Sequence, residues 1–280
     1  MQFGVHMSLT DESMDAHEFG RAVEDHGFDA VSVPEHTHIP AARTTPYPGG
    51  GELPREYTRT LDPFVALTAI AGVTERVRLM TSVCLLVERD PIITAKAGAT
   101  LDLLSDGRLD LGVGAGWNRE EMVNHGTDPR RRFALLDERL GALRALWTEP
   151  EASYHGELVD FKAVWSWPKP LQQPHVPILV GGSGPSALER VLTLGDGWLP
   201  HGRTPELPER IRELRHRARE TGRGPIPVTV FAAEANDAAL EAYVEAGADR
   251  CLFRFPSSTA DEVLPRLEEH ARLAARWAAA

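Results

Sequence analysis

The chain has 280 residues, a formal net charge of −11 at pH 7 and a pI near 5.5. Phosphate-backbone binding needs a basic face, so the charge argues against a nucleic-acid partner. No apolar run approaches the ~20 residues of a membrane helix, and the length suits one α/β barrel domain spanning 1–280.

Short apolar runs alternate with helical patterns from end to end. The strands are expected at 3–7, 30–35, 78–86, 108–114, 177–181, 197–200, 227–233 and 249–255. The helices that follow them are expected at 15–26, 61–73, 91–104, 131–147, 184–194, 205–221, 237–246 and 259–279. Alternation of this kind is the arithmetic of a (β/α)8 TIM barrel. Continuous rather than alternating apolar strands agree, because parallel strands are buried on both faces. Asp62-Pro63 and Asp90-Pro91 each put a cap residue before a first-turn proline. Gly27 and Gly195 are expected to close helices in the left-handed region. The first strand begins at once, which predicts no signal peptide. Cys84 and Cys251 lie in apolar runs and read as buried inert thiols, so a cytoplasmic setting is expected.

Two connections are too long to be simple turns. Residues 36–60 follow the second strand and so belong to the C-terminal face, where barrel chemistry is placed. Tyr47 and Tyr57 there either line a substrate pocket or pack a lid. Residues 148–176 start from the opposite face, and their Trp165, Trp167 and Pro168 read as packing or as a subunit contact.

The fourth strand runs into LDLGVGAGWNREE at 109–121, which is neither a G-x-G-x-x-G dinucleotide fingerprint nor a Gly-Lys phosphate loop. Gly114, Gly116, Trp117 and Asn118 face the mouth, either to let a ligand come close or to make a tight βα turn. The fifth strand ends in a second cluster, Gly182, Ser183 and Gly184, where free N–H groups and a helix dipole attract anions. Ser183 serves equally as a plain cap. Two such mouths together favour a phosphate-bearing cofactor.

The second strand ends in PEHTH, and Glu35 and His36 are both expected to point into the mouth. Imidazole is the side chain suited to proton transfer at neutral pH, so His36 is either the proton donor or acceptor of a reaction or a histidine hydrogen-bonded to a cofactor or to Glu35. His36-x-His38 could also begin a metal site, but the fourth strand ends in glycine and the eighth in Phe253-Arg254-Phe255. No metal ligand is assigned.

These motifs together resemble the bacterial-luciferase-like monooxygenase superfamily over nearly the whole chain, in the branch of coenzyme F420-dependent oxidoreductases. The matching pieces are VSVPEH, RLMTSVCLLVERDPIITAKAGATLDLLSDGRLDLGVGAGWNREE, FKAVWSWPKPLQQPHVPILVGGSGP and LGDGWLPHG. The resemblance implies hydride transfer between the deazaflavin F420 and a small organic substrate, with the protein supplying orientation and a proton. It places a cis peptide at Ser82–Val83 behind the cofactor ring, and Glu35 and His36 beside that ring. It carries cofactor contacts to Gly114, Gly116, Trp117, Asn118, Gly182, Ser183 and Gly184, and also to Pro200 and His201. FMN-dependent two-component monooxygenases share the barrel and stay open as the alternative. A non-catalytic cofactor-binding barrel and a metal hydrolase are the remaining classes. Arg119 and the run Arg130-Arg131-Arg132 either meet an acidic cofactor tail or make a solvated helix start, the reading favoured here. A homodimer is expected, with no nucleic-acid or membrane partner.

Overall fold

The computed structural model describes residues 1–184 and 186–278. Pro185 and Ala279, which fall inside two predicted helices, lie outside the described residues. The elements run β1 (Gln2–Met7), α1 (Ala16–Asp25), β2 (Ala30–Val33), α2 (Pro63–Ala71), β3 (Arg78–Thr81), β4 (Cys84–Leu85), α3 (Pro91–Leu104) and β5 (Leu109–Gly114). They continue with α4 (Arg119–Asn124), α5 (Arg132–Thr148), β6 (Ala152–His155), β7 (Asp160–Val164), β8 (Ile178–Gly181), α6 (Ala187–Leu194), β9 (Gly197–Leu199), α7 (Leu207–Glu220), β10 (Thr229–Ala233), α8 (Asp237–Ala246), β11 (Arg250–Phe255) and α9 (Ala260–Ala278).

The strands pair in parallel in the order β10-β11-β1-β2-β3-β5-β8-β9. The ring closes where Trp198 and His201 bridge to Val228 and Phe231, with the Phe231 N–H donating to Pro200 O at 2.7 Å. This is the TIM barrel expected from the alternation. The Asp-Pro caps form as read: Asp62 accepts from the N–H groups of Phe64 and Val65, and Asp90 from that of Ile93. Each such cap contributes about 1 kcal/mol. Gly27 is left-handed at φ 80°.

Gly195 departs from expectation, with φ −95° and ψ 156°. A Cβ there would lie 3.1 Å from Val191 Cα and 3.2 Å from Gly197 O, so close packing demands this glycine. The predicted third strand is split into β3 and β4 by a cis Ser82–Val83 bond. Residues 148–176 contain an antiparallel hairpin, β6–β7, that periodicity did not show. The short helix α4 was also missed.

Inside the barrel the side chains form layers. At the N-terminal end Asp110 pairs with Arg78 and, at 3.1 Å, with Arg250, which also donates to Gln2 Oε1 at 2.9 Å. Above it Ala30, Met80, Leu179, Leu199 and Leu252 make an apolar plug, with Val83 and Phe231 packed on it. Both cysteines are buried, with their thiols pushed up by burial. No described helix is long and apolar enough to cross a membrane.

Candidate functional site

The glycines at the strand ends have different reasons. A Cβ on Gly114 would meet Val83 Cγ2 at 2.6 Å, and one on Gly181 would meet Val83 Cγ1 at 2.8 Å. Gly114 reads from the sequence either as room for a ligand or as a tight turn, and in the structure the side chain just past the cis bond fills the space beside it. Gly116 is a turn glycine with φ 67°. Beneath the turn, Ser82 Oγ lies 2.8 Å from His6 Nδ1, and Ser32 Oγ lies 3.0 Å from the same nitrogen. Burial, aided by Arg254 and His201, lowers His6 to about 3, so this imidazole is neutral.

His36 is held at two points. The Trp117 indole N–H donates to His36 Nε2 at 3.3 Å, and His36 Nδ1 lies 2.8 Å from Glu121 Oε2. Indole can only donate, so Nε2 accepts, and Nδ1 carries the proton given to Glu121. The His36 side chain is 6% exposed and Glu121 is fully buried. The expected partner was Glu35, and it is not there. Its carboxylate accepts from the Leu85 N–H at 2.7 Å and from Arg89, joining the end of β2 to the segment after the cis bond. Glu35 is therefore an anchor, pushed up by burial against the opposing pull of Arg89. Adjacent residues on an extended chain point to opposite sides, and the two side chains obey that rule. His38 also parts from His36, turning to Thr37 and Asn124. Among the described residues no group of three or more His, Cys, Asp or Glu could hold a metal ion.

The long connection after β2 folds over this ring. The Tyr57 ring lies 5.2 Å from that of His36, tilted by 45°, and its hydroxyl lies 3.2 Å from that of Tyr47, whose ring is 6.0 Å from Trp117. Glu120 ties the connection down, accepting from the N–H groups of Thr44 at 2.8 Å and Thr45 at 3.1 Å. Thr60 Oγ1 donates to His36 O at 2.8 Å and fixes its far end. A groove of about 570 Å³ remains between Pro46, Pro48, Trp117, Arg119 and Arg132. Arg130 and Arg131 pair with Asp128 and Glu157 instead, as a solvated helix start would.

Two features fit a flat, phosphate-bearing cofactor. Asn118 is 1% exposed, and neither its amide oxygen nor its nitrogen has a partner among the described residues. Gly182 (φ 111°) and Gly184 have nothing within 4 Å of a built Cβ, so this approach is open. The carbonyls of Gly182 and Gly184 accept from Trp198 Nε1 at 3.0 Å and Arg210 at 3.2 Å. Ser183 shares a 2.5 Å hydrogen bond with Thr204, and its carbonyl takes Arg210. Helix α6 begins at Ala187, a turn later than predicted. Pro200 and His201 lie on the closing seam; His201 Nδ1 accepts from the Arg203 N–H at 3.0 Å, and burial lowers this ring. Sequence reasoning missed Glu121. Its only signal was an acidic pair opening α4, with nothing to choose between Glu120 and Glu121.

An uncharacterised protein of Mycobacterium tuberculosis is 42% identical over 283 residues, covering 99% of each chain. An F420-dependent glucose-6-phosphate dehydrogenase of Amycolatopsis mediterranei is 33% identical over 65% of this chain and 51% of its own. An FMNH2-dependent dimethylsulfone monooxygenase of Pseudomonas putida is 29% identical over 55% of this chain and 43% of its own. Among solved structures, monooxygenase RslO1 of Streptomyces bottropensis superposes with TM-score 0.77 at 20% identity, covering 97% of this chain and 98% of that one. An F420-dependent secondary alcohol dehydrogenase holding an F420-acetone adduct superposes with TM-score 0.74 at 18% identity, covering 97% of both. Residues 2–278 match the luciferase-like monooxygenase family, and the chain belongs to it.

Proposed function

We propose that this protein is an F420-dependent oxidoreductase that moves a hydride between the deazaflavin and a small organic substrate in the barrel mouth. The observation that carries the reading is the state of His36, buried with its Nε2 lone pair facing the Trp117 N–H and its Nδ1 proton on Glu121. In that form the ring takes a proton rather than giving one, which suits substrate oxidation. When bound, the deazaflavin supplies hydride chemistry at its C5. Asn118, with two unsatisfied amide atoms, and the open Gly182–Gly184 turn are the groups that would hold it. The Tyr47–Tyr57 pair closes over His36 and keeps water from it.

The second reading is an FMN-dependent monooxygenase, favoured by the dimethylsulfone monooxygenase likeness. Fluorescence-quenching titration of the apo protein separates the two. F420 is expected to bind well below the concentration FMN needs, and the opposite order transfers the protein to the monooxygenase reading. A cytoplasmic homodimer belongs to the same proposal. Val65 on α2 and Ile93 on the adjoining α3 are 70% and 67% exposed, an apolar surface that a second copy would cover. Sedimentation equilibrium at micromolar concentration checks it, and a monomer there refutes it.

A further inference from the structure

Behind His36 lies a second carboxyl that the reaction as drawn does not use. Glu88 ends the short 3-10 turn Leu86–Glu88 that follows β4, and its side chain is 1% exposed. It sits under the glycine turn, with Oε1 3.5 Å from where a Gly116 Cβ would be. Both Glu88 oxygens and Glu121 Oε1 are buried and, among the described residues, meet no donor. Among the described residues neither carboxyl forms an ion pair with an arginine or lysine. Arg139 on α5 gives its Nη1 to Leu86 O at 2.7 Å and leaves its buried Nε without a partner among the described residues, while Arg89 goes to Glu35 and Asp62. His125 Nε2 is 4.0 Å from Glu88 Oε2, beyond hydrogen-bond reach, and is 2.7 Å from Thr37 Oγ1.

Two buried carboxyls within hydrogen-bond reach of each other, with no cation on either, cannot both be ionised. A proton between them supplies the missing donor and accounts for two of the three unpartnered oxygens. We propose that Glu88 and Glu121 share one proton, with Glu88 the neutral acid that donates to Glu121 Oε1 and leaves Oε2 to accept from His36. Burial, with Glu121 and Glu35 adding to it, pushes Glu88 up to about 9. Glu88 is thus a positioning residue: it orients the Glu121 carboxylate, which fixes His36 as the Nδ1–H tautomer. No covalent bond changes and no electrons move. The inference deepens the proton-carrying role proposed for His36, but it concerns the protein without cofactor or substrate.

The test therefore uses the full chain in its apo form, by infrared spectroscopy and 15N-histidine NMR. Wild type at pH 7 should show a carboxylic-acid C=O band that Glu88→Gln removes. The Gln amide still donates, so the His36 ring resonances should be alike in wild type and Glu88→Gln, and altered in Glu88→Ala. Raising the pH through about 9 should shift His36 in wild type and leave it flat in Glu88→Gln. An acid band at pH 7 left undiminished by Glu88→Gln overturns the proposal, as does a His36 spectrum indifferent to Glu88→Ala. If the Glu88 variants do not fold, Glu121→Gln should move ionisation of the Glu88 band to lower pH, and an unmoved band overturns the pairing. Failure to bind F420 would sink the functional reading and leave these outcomes untouched.

Discussion

The two ends of this barrel treat buried charge in opposite ways. At the N-terminal end Asp110 is closed off by Arg78 and Arg250; Gln2 and Gln172 take further donors of those arginines, and of this cluster only Arg250 Nε lacks a partner among the described residues. At the mouth His36 Nε2 takes a long indole hydrogen bond, and among the described residues the Asn118 side-chain amide, both Glu88 oxygens and Glu121 Oε1 have no partner. One apolar layer, built on Ala30, Met80, Leu179, Leu199 and Leu252, separates the ends. A paired charge cluster holds its shape because each partner leaves a costly vacancy if removed. A mouth with unspent donors and acceptors is less stable for its size and is ready for a ligand.

Breaking the closed end gives the largest expected effect. Asp110→Ala strands buried Arg250, and urea unfolding should show a loss of about 3–5 kcal/mol, with cofactor affinity unchanged in whatever protein folds. A loss under about 1 kcal/mol would mean the cluster does not hold the end together. The matching change at the mouth is His36→Asn, which should leave stability and cofactor affinity nearly intact while turnover falls about 10²- to 10⁴-fold. A large affinity loss would make His36 a cofactor ligand and not the proton carrier.

Acid should distinguish the ends as well. The His6 value of about 3 lies below its ordinary 6.5, so the fold favours the neutral ring. The stability gained is present above pH about 6.5 and is lost as pH falls toward 3. Unfolding measured between pH 7 and 4 should show this slope, and His6→Gln should flatten it; an equal slope in the variant removes His6 as its source.

Smaller effects sharpen the picture of the mouth. Gly184→Asp puts a carboxylate where a phosphate would lie, and open space there lets the fold survive. Cofactor binding should weaken by about tenfold or more, roughly 1.4 kcal/mol, and unchanged affinity would move the phosphate elsewhere. Trp117→Phe deletes the 3.3 Å hydrogen bond to His36 and keeps most of the packing. Thermal unfolding should register about 0.5–1.5 kcal/mol, while a much larger loss would show that the indole is a packing residue first.

The order of strands and helices was legible because each rests on local rules. Strands buried on both faces read as unbroken apolar runs, and Asp-Pro pairs mark helix starts wherever they fall. Helices α3 and α8 fall where the periodicity placed them, at 91–104 and 237–246. His36 and Trp117 were legible as mouth residues for the same reason, since each follows the C-terminal end of a strand. The partner of His36 was not. Glu35 was chosen as its sequence neighbour, yet the two-residue period of an extended chain sends neighbours to opposite sides. Glu121, 85 residues away, reaches the ring only because α4 folds back after β5. The glycines show the same division. Their positions were visible in the sequence, but only packing tells that Gly114 and Gly181 yield to Val83 while Gly184 stays open. Periodicity and caps are set by a residue and its near neighbours, so the chain alone determined the barrel. Hydrogen-bond partners and clearances are set by strands that meet across the barrel, so tertiary structure decided which of the mouth's polar groups face one another.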